Sequence, residues 1–204
     1  MYNIDMNFIV LSSSRGTTFQ AVIDRLADGS LTANCLGLVV DREDRGAVEK
    51  AKKANLPIKV VGRIKGEPRE EYDWRLNEAI NEMGEVDVIA TLGWMFILNP
   101  WFVQNWEGRI VNVHPALLPK HPGAHGIEDA LVADDKETGM TIHIIDEGVD
   151  TGPILVQKNC SINLDDTVDS LKPRIQDLEK EWYPKTLQMI ETGEIKLPIP
   201  AKLK

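Results

Sequence analysis

The segment FIVLSSSRGTTFQAVIDRL, residues 8–26, sets the architecture expected of the chain. Phe8 to Ser12 is a short apolar run that closes on small polar residues. Thr17 to Leu26 then repeats apolar residues at helical spacing, through Phe19, Val22, Ile23 and Leu26. The reading is strand, turn, helix. Backbone amides of Gly16, Thr17 and Thr18 at the helix start would suit an anion, helped by the helix dipole and the hydroxyl groups. The turn is neither GxGxxG nor GxxxxGK[ST], so a plain N-cap by Ser14 or a threonine explains it equally well.

The same alternation continues outward. Strands are expected over Cys35–Val40, Ile58–Val61, Val86–Thr91 and Arg109–His114, and helices over Gly46–Ala54 and Arg69–Met83. Strands that are nearly continuous Val, Ile and Leu, separated by helices, predict a Rossmann-like α/β fold with a mostly parallel sheet covered on both faces. Met140–Asp146 and Ile154–Cys160 read as two strands joined by a turn over Gly148–Pro153, which adds an antiparallel strand near the C-terminal part. Thr167–Ile190 reads as a long amphipathic helix that Pro173 and Pro184 are expected to kink or divide. The tail from Leu197 to Lys204 is expected to be loosely held.

At 204 residues, 43% hydrophobic and 27% charged, the chain has the length and composition of one well-buried domain. No apolar run approaches the roughly 18 residues of a membrane span, and Met1–Met6 lacks the pattern of a signal segment, so the cytoplasm is the expected location. A net charge of −9 excludes broad contact with nucleic-acid phosphates while leaving room for a local anion site. Cys35 and Cys160 lie far apart in apolar segments and are read as reduced core residues.

Residues two apart in a strand share a face, so Asn112 and His114 project together from the end of a parallel strand, where open α/β sheets place ligands. An Asn amide can donate to a developing oxyanion, and a His can donate to it or move a proton. A satisfied polar pair is the plainer alternative. All four histidines, His114, His121, His125 and His143, fall within 30 residues. His121 and His125 with Asp146 or Asp150 could ligate a metal, but Pro122 and Gly123 between them oppose a single helical turn. In the acidic turn DEGVDTGP, one carboxylate could reach His114 and raise its pKa, or the turn could simply be solvated.

Taken together, NVHPALLPKHPGAH at 112–125 and DEGVDTGPIL at 146–155 resemble the signature of the folate-dependent formyltransferases, and the likeness extends from about Asn7 to Leu197. Within that family it is greatest to members that formylate glycinamide ribonucleotide in purine synthesis. The resemblance implies one domain, with a nucleotide- and phosphate-binding half over about 7–113 and a catalytic and folate-binding half over about 114–197. It implies Asn112, His114 and Asp150 as catalytic residues, with Asn112 and His114 stabilising a tetrahedral intermediate and Asp150 relaying protons, 10-formyltetrahydrofolate as co-substrate, and no metal. The phosphate turn falls on Gly16, Thr17 and Thr18, where Gly-Ser-Asn is usual, and Arg15 beside it is unusual. Glu179, in RIQDLEKEWYP, falls where the family contacts ribose hydroxyls. The implied folate-binding residues are Arg69 in PREEYDWRL, Met95, Phe96, Ile97 and Leu98 in GWMFILNP, and His143 and Asp146. Phe96 stands where many members have Arg, which removes a partner for the folate tail.

The implied partners are thus glycinamide ribonucleotide and reduced folate, on a monomer or homodimer. Family members acting on initiator tRNA, formyltetrahydrofolate or sugar nucleotides would be expected to carry additional sequence. An amino-sugar nucleotide acceptor, a non-catalytic folate or nucleotide binder and a metal-dependent hydrolase are the competing readings.

Overall fold

In the computed structural model, which describes residues 6–198, strand β1 (Asn7–Ser12) sends Phe8 and Val10 into one core and Ile9 and Leu11 into another. Both faces of the strand are therefore buried, which is why its sequence is apolar throughout rather than alternating. The same holds for β2 (Asn34–Val40), β4 (Val88–Thr91) and β5 (Ile110–His114). With β3 (Ile58–Val60), β6 (Glu137–Ile144) and β7 (Ile154–Ser161) they form one sheet in the order β3-β2-β1-β4-β5-β6-β7. Pairing is parallel from β3 through β5, and antiparallel at β5–β6 and β6–β7. The mostly parallel α/β sheet expected from the sequence is thus present, with its antiparallel end.

Helices cover both faces. The first core includes residues of α1 (Thr17–Ala27), α2 (Gly46–Lys53), α5 (Gly126–Val132) and α6 (Val168–Glu191). The second is closed by α3 (Arg69–Asn81) and α4 (Pro100–Asn105). From β1 the chain winds outward through β2 and β3, then returns to place β4 on the other side of β1. The reversal leaves a crevice beyond the carboxyl ends of β1 and β4, the usual ligand position in such sheets.

Three features depart from the sequence expectation. Helices α4 and α5 were not anticipated; α4 carries its signal in Asn99-Pro100, where the Asn99 side chain accepts from Phe102 N–H at 2.8 Å and Pro occupies the first turn. Strand β6 begins at Glu137, three residues before the expected Met140, because pairing with β7 extends to Glu137↔Ser161. Helix α6 is not divided at Pro173 or Pro184. Its buried face of Leu171, Ile175, Tyr183 and Leu187 is held by the core, and tertiary packing overrides the lost backbone bonds. Residues 199–204 of the expected loose tail, and residues 1–5, lie outside the described residues.

Two contacts fix the crevice. Tyr183 on α6 is buried and donates its hydroxyl to Val111 O of β5 at 2.8 Å. Gly16, the N-cap of α1, has φ of 73°, and an added Cβ would lie 2.9 Å from Ala47 Cα of α2. A side chain there meets backbone as well as an unfavourable φ. Gly16→Ala is therefore expected to cost about 2 kcal/mol of stability, measured as a lowered urea midpoint with an unchanged m-value.

Candidate functional site

A cleft of about 600 Å³ occupies the crevice, bounded by the β1–α1 turn, the ends of β4 and β5, the 93–98 segment, the acidic turn after β6 and one face of α6. Asn112 reaches it from β5. Its Oδ1 lies 2.8 Å from Thr91 Oγ1 of β4, and its Nδ2 lies 3.1 Å from His143 Nε2 of β6. His143 Nδ1 lies 3.0 Å from Ile144 O, a carbonyl that can only accept. That bond assigns the neutral His143 proton to Nδ1 and leaves Nε2 to accept from Asn112. One N–H of the Asn112 amide is so engaged, and the other, without a partner among the described residues, can donate to a ligand.

His114 is buried two residues further along. Its Nε2 donates to His121 O at 2.7 Å, which leaves the neutral ring's lone pair on Nδ1, 3.3 Å from Asp150 Oδ2. The structure singles out Asp150 among the acidic residues of its turn. Its Oδ2 accepts from Gly123 N–H at 2.7 Å, and its Oδ1 lies 3.5 Å from His143 Nε2, so the carboxylate touches both imidazoles. Asp150 itself has φ of 54°, a left-handed conformation that Asp tolerates better than most residues. By contrast, Asp146 accepts from Gly148 N–H at 3.1 Å and Thr151 Oγ1 at 2.7 Å, and Glu147 from Gln104 at 2.7 Å. Those two carboxylates hold the turn.

One electrostatic expectation is corrected. Asp150 does favour the charged form of His114, but burial outweighs it and holds the imidazole below its ordinary pKa. Burial also pushes the Asp150 carboxyl up, yet the neighbouring imidazoles and the Gly123 N–H bond overcome this and leave it below the usual range. At neutral pH the resting pair is an ionised Asp150 and a neutral His114 whose Nδ1 faces that carboxylate.

At the other end of the cleft, Thr17, Thr18 and Glu179 line the wall, while Gly16 sits behind it with its N–H donated to Ser14 Oγ at 3.1 Å. Thr18 Oγ1 donates to Glu179 Oε2 at 3.1 Å, tying α1 to α6. Burial pushes the Glu179 carboxyl up to about 7, against the Thr18 bond and the charges of Lys172 and Lys180. Met95, Phe96, Ile97 and Leu98 line the cleft as a continuous segment, with Met95 and Ile97 68% and 62% exposed. The segment is anchored where Asn99 N–H donates to buried Asp73 at 2.7 Å. His143 and Asp146 also line the cleft; Arg69, at the start of α3, does not. The guanidinium of Arg63 lies 5.4 Å from the Phe96 ring centroid and 5.1 Å from that of Tyr72, so a cation stands beside position 96 although the residue there is aromatic.

Of the four histidines, His114 and His143 meet at Asp150, His121 pairs with Asp135 at 2.8 Å, and His125 precedes α5. Among the described residues no group of three or more His, Cys, Asp or Glu side chains is placed to hold a metal ion, and no helix is long and apolar enough to cross a membrane. Cys35 and Cys160 are free thiols, partly buried, and burial pushes the Cys35 thiol up to about 12. Thr91 and Gly123 join the site without a sequence signal, since each acts through a partner distant along the chain.

A cleft at the switch point of a parallel sheet, with an amide, two imidazoles and a carboxylate converging at one end, is the framework of a group-transfer enzyme. The chain belongs to the formyl transferase family, whose model matches residues 6–187. It is 33% identical over 183 residues to the phosphoribosylglycinamide formyltransferase of Bacillus subtilis strain 168, covering 90% of this chain and 93% of that one. It is also 39% identical over 186 residues to the trifunctional purine biosynthetic protein adenosine-3 of Drosophila melanogaster, covering 90% of this chain but only 14% of that much longer protein. The glycinamide ribonucleotide transformylase 1 of Symbiobacterium toebii superposes with a TM-score of 0.91 at 29% identity, over 97% of this chain and 92% of that one. These likenesses place the chain among the phosphoribosylglycinamide formyltransferases.

Glu179 gives a pH dependence that can be measured. Its folded pKa lies above the ordinary 4.5, so between about pH 4.5 and 7 the native protein holds a proton that the unfolded chain has released. Stability therefore falls as pH rises through that window. Glu179→Gln keeps an acceptor for Thr18 and removes the penalty. Urea unfolding is expected to show the variant nearly equal to the parent at pH 4.5 and more stable by on the order of 2 kcal/mol at pH 8.

Proposed function

We propose that this protein transfers the formyl group of 10-formyltetrahydrofolate to the amine of glycinamide ribonucleotide, with Asn112, His114 and Asp150 as its catalytic residues. The observation that carries the reading is the convergence at Asp150. Its carboxylate lies 3.3 Å from His114 Nδ1 and 3.5 Å from His143 Nε2, beside the Asn112 amide. Two parts of the cleft lining suit the two substrates. The 94–98 segment offers an apolar surface for the reduced pterin, and Thr17, Thr18 and Glu179 offer amides, hydroxyls and a carboxyl for a ribose phosphate.

When the amine nitrogen bonds to the formyl carbon, the free N–H of Asn112 donates to the oxygen on which negative charge develops. Thr91, bonded to Asn112 Oδ1, and His143, accepting from its amide, keep that N–H aimed without reorganisation. The proton lost by the amine passes through the Asp150 carboxylate to His114 Nδ1, whose one lone pair faces Asp150 Oδ2 at 3.3 Å. The resulting imidazolium has both N–H groups satisfied, by His121 O and by Asp150. Charge that burial disfavours in the resting site is thereby held at the moment it is needed, beside the oxyanion. His114 then returns the proton to the departing folate nitrogen as the C–N bond breaks, and ends neutral as it began. Asp150 relays the proton in both directions and is ionised before and after the reaction.

Asn112→Ala and His114→Ala are each expected to lower kcat by on the order of 10² to 10³ in an assay of formyl transfer to glycinamide ribonucleotide. Wild-type turnover by either folded variant would refute the assignment. Formylation of an amino-sugar nucleotide alone would move the acceptor to that class. Binding of 10-formyltetrahydrofolate without transfer to any amine would reduce the protein to a binder.

A further inference from the structure

Charge in the cleft is unevenly distributed. Five acidic side chains stand on its wall, those of Glu128, Asp146, Glu147, Asp150 and the partly protonated Glu179, and the single Lys or Arg among the described residues lining it is Lys172. The chain as a whole carries −9. A substrate with a phosphate, itself close to a dianion at neutral pH, would enter a field of its own sign unless a local cation offset it.

Lys172 is placed to do so. It lies on α6 seven residues before Glu179, with Gln176 between them, and all three line the cleft. That spacing is about two helical turns on one face. The Thr18–Glu179 bond at 3.1 Å brings this face against the start of α1. There the first intrahelical bond is Gln20 N–H to Gly16 O, so the amides of Thr17 and Thr18 precede it and have no acceptor within the helix. Lys172 also has no ion-pair partner among the described residues, whereas Lys180 and Lys185 on the same helix are paired with Asp177 and Glu181. The charge of Lys172 is felt at the Glu179 carboxyl.

We propose that Lys172 is the counter-charge for the phosphate of the acceptor substrate, drawing it to the α1 end of the cleft and setting the preference for a phosphorylated over a phosphate-free amine. This rests on the acceptor being a ribonucleotide, as argued above. The geometry makes Lys172 a substrate-binding residue with no part in proton transfer, and its place on the rim allows it to be changed without disturbing the core.

The test compares glycinamide ribonucleotide with the phosphate-free glycinamide riboside as acceptors, and measures ribose 5-phosphate binding by calorimetry. Lys172→Gln is expected to lower kcat/KM for the ribonucleotide about tenfold more than for the riboside, the size of one charge-assisted contact. Lys172→Arg should retain most of the difference, and added salt should shrink it in the parent protein. An unchanged ribonucleotide-to-riboside ratio in Lys172→Gln would overturn the inference while leaving the formyl-transfer reading intact. If the parent protein does not formylate the ribonucleotide, that reading fails and the titration decides on Lys172. Weaker ribose 5-phosphate binding in Lys172→Gln with retention in Lys172→Arg supports the role, and equal binding in all three proteins excludes it.

Discussion

The site depends on one register, the antiparallel pairing of β5 with β6 that sets Asn112 opposite His143 and His114 opposite Thr141. Side chains alternate along a strand, so a slip of one residue would turn His143 away from Asn112 and leave the amide unaimed. The register is secured by packing, since Ile142 and Ile144 enter the first core on the face opposite to His143. It is secured again at the end of β5, where Thr141 Oγ1 donates to Ala116 O and accepts from Leu118 N–H. The polar residues hold their positions because apolar neighbours cannot be moved without exposing them.

Around that register the environment pushes titratable groups in opposite directions. Burial lowers His114 and raises Glu179, while hydrogen bonds and neighbouring imidazoles keep Asp150 low despite its own burial. The site thus contains a neutral base, a fixed anion and a carboxyl that titrates near neutrality, from three groups whose ordinary values order them differently. The neutral resting state of His114 matters for the chemistry, because a ring already protonated could not take a proton from the amine.

Much of the fold was legible in the sequence because burial on both faces writes itself as continuous Val, Ile and Leu, as in Phe8–Ser12 and Cys35–Val40. Helix α4 was legible in principle, through Asn99-Pro100, while α5 is only seven residues and too short to show a period. Strand alternation alone paired Asn112 with His114. Choosing Asp150 over Asp146 and Glu147 needed either a resemblance to other chains or the coordinates, since the three differ only in what they meet across the fold. The direction of the His114 shift is hidden from the sequence for a related reason. A nearby carboxylate can be inferred from sequence, but the depth at which the ring is buried cannot. Thr91, Gly123 and Lys172 are ordinary residues in ordinary segments, and they acquire a role only through partners 21, 27 and 7 positions away.

Val111 O accepts the Tyr183 hydroxyl at 2.8 Å, and Tyr183 belongs to the last helix of the described residues. The strand that bears Asn112 is therefore finished only when α6 docks. The wall that carries Glu179 and the bond that steadies β5 belong to the same helix. A change that loosens α6 from the sheet would therefore disturb the aim of Asn112 without touching any residue beside it.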